Sequence, residues 1–310
     1  MWIKKGLVFE VKNYLNDLIK SHASIPFAHP LAEDLFRIYF SARNENGKSL
    51  PYYIDAVVTA GKIELTGAVV GPILELGSLG TFDDSGIMPS CVVQKESQTM
   101  LYYIGWNPQV TVSYRLSIGL AVSKDGGRNF SKFSIGPICD RSIDEPFFNT
   151  APFVLFDEGV WKMWYISCTK WELINDYPEP SYHIKYAESE DGIHWDKRGI
   201  VCLDYDAKAQ ALGRPCVIKE GGLYKMYFSY RGLNSYRTDP SAAYKIGYAD
   251  SVDGKVWCKR YNDAGIELSD SGWDSTMMEY CHVFKHKNIS YMLYNGDNFG
   301  KDGFGYAVRK

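Results

Sequence analysis

Apolar and polar residues alternate along many short runs of this chain with a period of two. "YRLSIGLAVS" (114–123), "YHIKYAESE" (182–190) and "YKIGYADSV" (244–252) each put every second side chain on one face. That is the pattern of a strand and not the three-and-four spacing of an amphipathic helix. The runs are rich in Tyr, Val, Ile and Trp and are separated by Gly, Asp and Asn, so they predict short antiparallel strands joined by tight turns. "NYLNDLIK" (13–20) alone predicts a turn or two of helix.

The strands recur in order. Ala121, Ser123, Asp125, Gly126 and Phe130 are echoed by Ala187, Ser189, Asp191, Gly192 and Trp195, and again by Ala249, Ser251, Asp253, Gly254 and Trp257, with the serines 66 and 62 residues apart. Ahead of these lies a second echo, in which a small residue or Pro leads into an apolar stretch and an aromatic run: "MPSCVVQKESQTMLYYIGW", "APFVLFDEGVWKMWYIS", "RPCVIKEGGLYKMYFSYRG" and "EYCHVFKHKNISYMLYNGD". "IPFAHPLAEDLFRIYFSAR" aligns as a fainter first copy through Pro26 and Tyr39, which makes five. A unit of three or four strands cannot bury both faces alone, and fixed repetition of such units predicts radial packing. The expectation is an all-β chain forming one domain over residues 1–310, a five-bladed β-propeller with four-stranded antiparallel blades. The fifth copy stops at "GFGYAVRK", which matches a third strand. Its outer strand is therefore expected from "GLVFEV" (6–11), so that the N-terminal strand joins the C-terminal blade and closes the ring.

The Ser-x-Asp-Gly turns read as structural. Ser and Asp side chains can bond the local backbone, Gly permits positive φ, and the following aromatic packs between sheets. They resemble the Asp box of sialidases with a different spacing, and belong on the outer part of a blade.

Composition narrows the function. With 310 residues, 45% hydrophobic and 15% aromatic, the chain can bury a large core, and its net charge of −3 with scattered Lys and Arg argues against a nucleic-acid partner. No run is long enough to insert in a membrane, and "MWIKKGLVFEV" lacks a secretory leader. Seven cysteines without CxxC or zinc spacing read as reduced thiols, so a cytoplasmic location is expected. Neither a phosphate-cradling loop, a dinucleotide fingerprint nor a Gly-x-Ser-x-Gly elbow is present, and His29 and His282 form no metal-ligand spacing with acids. No cofactor and no metal are expected.

In a propeller the loops entering the innermost strands crowd one end of a central channel, and function belongs there. The aligned entries, "HASIPFAH", "FDDSGIMPS", "DEPFFNTAP", "AQALGRP" and "WDSTMMEY", bring Asp83 or Asp84, Glu145, Arg214 and Glu279 toward one mouth. One of the two aspartates is expected to form an Asx turn and Asp83 to face the channel. Glu279 aligns with Ile25, Met88, Ala151 and Arg214, where packing does not explain a charge. Carboxylates meeting over one cavity are what glycoside chemistry needs, one protonated and one ionised. Arg214 or Arg231 could steady an ionised partner or grip an anionic group of the ligand. Trp106, Trp171 and Tyr230 could stack on sugar rings, and His29, Asp274 and His282 fall near the same entries. The Gly-rich "YNGDNFGKDGFGYA" offers Asn295 and Asp297 to hydroxyl groups. Each acid has a plainer reading as a solvated loop or turn residue. Glu145, which precedes Pro146, reads equally as a strand entry, and each histidine as a structural residue.

These blade motifs, with "DEPFFNTAP", "GRPCVIKEGGLYKMYFSYRG" and "YMLYNGDNFGKDGFGYAV", resemble the five-bladed propellers of glycoside hydrolase families 43, 32, 68 and 130, and a branch of that superfamily associated with bacterial surface-polysaccharide genes. The resemblance spans nearly the whole chain. In family 43 it implies a base in the first blade, an acidity-modulating Asp in the second and a proton-donating Glu in the third, but the first-copy entry here, "SIPFAH", carries no acid. Arg214-Pro215 resembles the substrate- or phosphate-gripping Arg of the mannoside phosphorylase group. By position, Glu279 and Asp83 are expected as the reacting pair, with Glu145 as a substrate or pKa partner. The implied partner is a carbohydrate or sugar-containing small molecule. The implied activity is hydrolysis or transfer on a short glycan or activated sugar, with a catalytically empty glycan-binding propeller and an inverting sugar phosphorylase as alternatives.

Overall fold

The computed structural model describes residues 1–237 and 239–310. After β1 (Ile3–Glu10), the strands fall into antiparallel groups of four. The first is β2 (Ser21–Pro30), β3 (Leu35–Arg43), β4 (Ser49–Thr59) and β5 (Lys62–Val70). The second is β6 (Gly86–Lys95), β7 (Gln98–Pro108), β8 (Tyr114–Ser123) and β9 (Ser131–Lys132). The third is β10 (Asn149–Asp157), β11 (Val160–Ile174), β12 (Tyr177–Ser189) and β13 (Val201–Leu203), and the fourth is β14 (Ala211–Glu220), β15 (Leu223–Arg231), β16 (Lys245–Ser251) and β17 (Cys258–Lys259). The last unit runs β18 (Glu279–His286), β19 (Ile289–Asn295), β20 (Gly303–Arg309) and then β1, which pairs antiparallel with β20 from Ile3 opposite Val308 to Glu10 opposite Gly303. Single parallel pairs, Ser49 with Gly86 and Tyr182 with Ala211, join the first unit to the second and the third to the fourth. The leading strands touch in cyclic order: β2 with β6, β6 with β10, β10 with β14, β14 with β18, and β18 with β2.

The helix expected over 13–20 is not formed. A single 3-10 turn covers Val11–Asn13, after which the Asn16 side chain accepts the N–H groups of Leu18 and Ile19, both at 2.8 Å. A short polar side chain that captures nearby donors competes with the helix for them.

The Ser-x-Asp-Gly turns knit neighbouring units together. Ser189 Oγ donates to Asp191 Oδ1 at 2.9 Å and accepts the Gly192 N–H, while the same Oδ1 accepts the N–H groups of Ile193 and His194. The turns at Ser123 and Ser251 repeat this. Each turn then presents a glycine carbonyl to an aromatic side chain of the preceding unit: Tyr39 OH to Gly127, Tyr102 OH to Gly192 and Trp164 Nε1 to Gly254, all at 2.8 Å. Gly192 sits at φ +77°, and a Cβ there would lie 2.7 Å from the Tyr102 hydroxyl, so both backbone and space require glycine.

β1 brings Phe9 to zero exposure, stacked on Phe304 at 5.1 Å and on Tyr14 at 4.3 Å. We expect Phe9→Ala to cost about 3–5 kcal/mol of stability by leaving a cavity between the first and last units, measured as a lower denaturant midpoint. An unchanged midpoint would mean that β1 contributes little to holding the chain ends together.

Candidate functional site: a central cavity walled by arginine and tyrosine

Each leading strand is broken by a bulge near its start, at aligned positions in four units and slightly later, at Ser90, in the second. Register skips between Ser24 and Phe27, Pro89 and Cys91, Thr150 and Phe153, Gly213 and Cys216, and Glu279 and His282. In four of the five a residue with a side chain takes left-handed backbone angles: Ile25 at φ 56°, Ala151 at 45°, Arg214 at 50° and Tyr280 at 54°. This conformation costs about 1–2 kcal/mol per residue. Together with Met88 of the remaining strand, these residues line one cavity of about 500 Å³. Asn295 fixes the first bulge, its Oδ1 accepting the Ile25 N–H at 2.8 Å and its Nδ2 donating to the carbonyls of Ala23 and Gly303. Its polar atoms are thus engaged by the backbone and not offered to a ligand.

The bulge corrects the repeat alignment by one residue. Tyr280, not Glu279, is the counterpart of Ile25, Met88, Ala151 and Arg214, since it carries the positive φ and lines the cavity. Glu279 lies one step earlier, opposite Asn295, with zero exposure and neither carboxylate oxygen at hydrogen-bonding geometry to a partner among the described residues. Burial pushes its carboxyl well above the usual range, opposed only in part by Arg231 and Tyr280.

Four arginines line the cavity, Arg43, Arg214, Arg231 and Arg237, while no Asp, Glu or His does among the described residues. Arg231 is fixed: Nε donates to Tyr244 OH, Nη1 to the Gly232 carbonyl and Nη2 to the Pro180 carbonyl, and its guanidinium lies 3.8 Å over the Tyr236 ring. Arg237 pairs with Glu179, which also accepts from Tyr236 OH at 3.1 Å. Arg214 is 1% exposed, and among the described residues its one hydrogen bond is a long one to the Pro215 carbonyl at 3.4 Å, with Nε and Nη2 unpartnered. Tyr182 and Tyr244 share a short hydroxyl contact in the same wall. Trp106 lines the cavity, and Trp171 stands behind it against Tyr114 and Phe148.

The other acids lie elsewhere. Asp83, Glu145 and Asp274 do not line this cavity but are clamped within their own units. Each accepts a tyrosine hydroxyl from 20 residues later, Tyr103 at 2.9 Å, Tyr165 at 3.1 Å and Tyr294 at 2.9 Å. Each also meets lysine: Lys132 at 2.7 Å on Asp83, Lys185 at 3.0 Å and Lys197 at 2.6 Å on Glu145, and Lys4 at 2.7 Å on Asp274. For Glu145, burial works to raise the pKa, but Lys197 and Lys185 outweigh it and hold the carboxyl below the usual range. Asp84 is the turn former of its pair, accepting Gly80 N–H and Ser85 OH at 2.8 Å. Asp297 accepts the N–H groups of Thr276 and Met277. Tyr230 faces a separate cleft beside Tyr261, their ring centres 4.6 Å apart. His282 lies past the bulge between Phe27 and Phe153, its pKa lowered to about 3 by burial, Arg214 and His29. His29, also past the bulge, is likewise lowered, by burial and Arg37.

Tyr280 aside, the tyrosines of the wall escape the strand-entry alignment with Arg43 and Arg237 because these residues arrive on second and third strands and on a long loop. One signal for them is present. "YFSAR" (39–43) and "YFSYR" (227–231) end second strands of the first and fourth units alike, and both closing arginines reach the cavity.

No family model matches the chain. Uncharacterized protein MT1551 of Mycobacterium tuberculosis (strain CDC 1551 / Oshkosh) and Uncharacterized protein Rv1502 of strain ATCC 25618 / H37Rv are each 38% identical to it over 309 residues, covering 99% of this chain and 98% of theirs. The chain belongs to their family. Among solved structures, a glycoside hydrolase superposes with a TM-score of 0.74 at 16% identity, over 99% of this chain and 91% of the other. A thermostable family-43 glycoside hydrolase gives 0.65 at 16%, over 96% and 91%. A protein of the GH130 family of mannoside phosphorylases, which contains glycoside hydrolases that target β-1,2 mannosidic linkages, gives 0.67 at 14%, over 100% and 94%. These likenesses establish an all-β fold of the glycoside hydrolase propeller type. No helix among the described residues is long and apolar enough to cross a membrane.

The clamps make a prediction. Glu145→Gln leaves Lys185 and Lys197 facing a neutral group and should cost about 3–5 kcal/mol at neutral pH. Because the folded pKa is depressed, the wild-type advantage is present above the ordinary value of 4.5 and fades as pH falls through the folded pKa. Denaturant titrations of both proteins across that range would measure it, and ligand binding in the central cavity should survive the change.

Proposed function

We propose that residues 1–310 form a single domain, a closed five-bladed propeller, and that it is a carbohydrate-active enzyme of the cytoplasm that transfers or cleaves a glycosyl unit in the central cavity. Support for the ring comes from the cyclic contacts of the leading strands and from β1 completing the last unit. The observation that carries the functional reading is the cavity itself. Strained residues from the leading strands converge on it, aromatic walls suited to sugar faces surround it, and Glu279, whose carboxyl burial pushes well above the usual range, lies beside two of its lining residues, Tyr280 and Arg231.

In this reading Glu279, which does not itself line the cavity, supplies the proton for the departing glycosidic oxygen through its lining neighbour Tyr280, whose side chain bears on its carboxyl, since a carboxyl biased toward its neutral form is what that step needs. No carboxylate lines the cavity among the described residues, so the attacking group is brought by the acceptor molecule. That favours transfer or phosphorolysis over two-carboxylate hydrolysis. The same lining favours one second reading, a binding propeller without turnover.

The test is turnover on nucleotide sugars and short bacterial glycans, with and without added phosphate. Glu279→Gln should abolish turnover while leaving binding within a few-fold, and wild-type kcat/KM should fall as pH rises through the elevated pKa of Glu279. A stability readout accompanies it. The raised pKa favours the native state fully below the ordinary value of 4.5 and loses that advantage as pH rises toward the folded pKa. Glu279→Gln should therefore flatten the decline on the alkaline side. Binding without turnover in either protein would leave the binding propeller as the answer.

A further inference from the structure

The chain as a whole carries a formal charge of −3, yet its central cavity is lined by four arginines and by no acidic residue among those described. Ion pairing does not absorb this charge. Only Arg237 has a carboxylate within salt-bridge distance, Glu179, while Arg43, Arg214 and Arg231 have none among the described residues. Arg231 is satisfied by carbonyls and a tyrosine hydroxyl and serves as wall. Arg214 is different. It is 1% exposed, its Nε and Nη2 have no hydrogen-bond partner among the described residues, and it is held in the cavity lining by a bulge at positive φ. The Thr150 hydroxyl, on the neighbouring leading strand and in the same lining, is likewise unpartnered. A guanidinium offers a planar fork of donors that fits two oxygens of one anionic group, and burying one without such a partner is unfavourable unless a ligand supplies it.

We infer that the ligand of the central cavity is a small anionic sugar, whose phosphate or carboxylate oxygens dock on Arg214 and the Thr150 hydroxyl with Arg43 adding charge nearby. A cavity of about 500 Å³ suits a ligand of one or two rings and not a long polysaccharide. This inference rests on the carbohydrate reading above and gives it a substrate class.

Titration calorimetry of the intact protein with inorganic phosphate, glucose 1-phosphate, glucuronate and glucose tests it, alongside Arg214→Met, Arg214→Lys and thermal melts of all three proteins. We expect at least one sugar-borne anion to bind and glucose to bind far more weakly. Arg214→Met should lose roughly 10- to 100-fold in affinity for that anion, and Arg214→Lys should lose part of it. Because an uncompensated buried charge is removed, Arg214→Met should melt no lower than wild type. A phosphate-bearing sugar bound more tightly than glucuronate identifies phosphate as the docked group, and the reverse order identifies a carboxylate. Glucose bound as tightly as either anion, with an affinity unmoved in Arg214→Met, overturns the anion and keeps the carbohydrate reading. Inorganic phosphate bound through Arg214 while every sugar fails keeps the anion site and overturns the carbohydrate reading. Failure of all four probes, or anion binding indifferent to Arg214, overturns the inference.

Discussion

The cavity depends on one backbone constraint, a bulge set near the same point in each leading strand. An unbroken ladder would alternate side chains between the two faces of its own blade and send none toward the axis. Skipping register frees one residue from that alternation, and in four strands the freed residue pays with a left-handed conformation. Pro26, Pro152 and Pro215 follow the freed residues of the first, third and fourth units and withhold a backbone donor where the ladder is already broken, whereas in the second unit Met88 and Pro89 stay opposite Ile104 and Tyr103 and the skip falls at Ser90. In the last unit Tyr280 holds the same conformation with Cys281 after it, and the Ser229 hydroxyl of the neighbouring unit accepts its N–H at 2.9 Å. The strain sits where side chains from different units have to meet, which is the usual address of such strain.

Around that axis the five units are of two kinds. The second, third and fifth carry Tyr103, Tyr165 and Tyr294 on their second strands, each answering an acid 20 residues earlier. The first and fourth carry Phe40 and Phe228 at that place, and 20 residues earlier stand Lys20 and Lys208. Hydroxyl and acid are present together or absent together, as a buried carboxylate demands of its partners. The two units without the clamp are those whose second strands end in Arg43 and Arg231, so the cations of the cavity wall come from blades that do not hold an internal acid and lysine.

The strands, their antiparallel grouping and the structural nature of the Ser-x-Asp-Gly turns were legible because they depend on local chemistry: period two, turn residues, and side chains bonding their own backbone. The site was less legible. Asp83, Glu145 and Asp274 stand at strand entries, but where their carboxylates point is decided by tyrosines on the next strand and lysines farther out, which an alignment of entries alone ignores. Glu279 was placed one residue off because the fifth copy lacks the Pro that anchors the others, and in a strand a slip of one exchanges the two faces. That slip hid Tyr280 from the cavity list and gave Glu279 a lining position it does not hold. Arg214 was readable from its Pro, and Arg231 from its repeat context. Arg43 needed the second-strand echo "YFSAR" and "YFSYR".

Burial makes Arg214 and Glu279 opposite cases of one problem. A carboxyl removed from water without a partner can take up a proton and become neutral, and Glu279 is pushed in that direction. A guanidinium has no such escape, because burial lowers its pKa without taking away its charge. Its partner therefore has to be an acceptor, and the groups whose charges bear on Arg214 are the thiols Cys216, Cys91 and Cys281 and the Tyr280 phenol, none of them a carboxylate. Burial pushes the Cys91 thiol up to about 12 and the Cys216 thiol to about 11, so neither supplies a counter-charge near neutrality. What remains to balance the cation is something that enters the cavity.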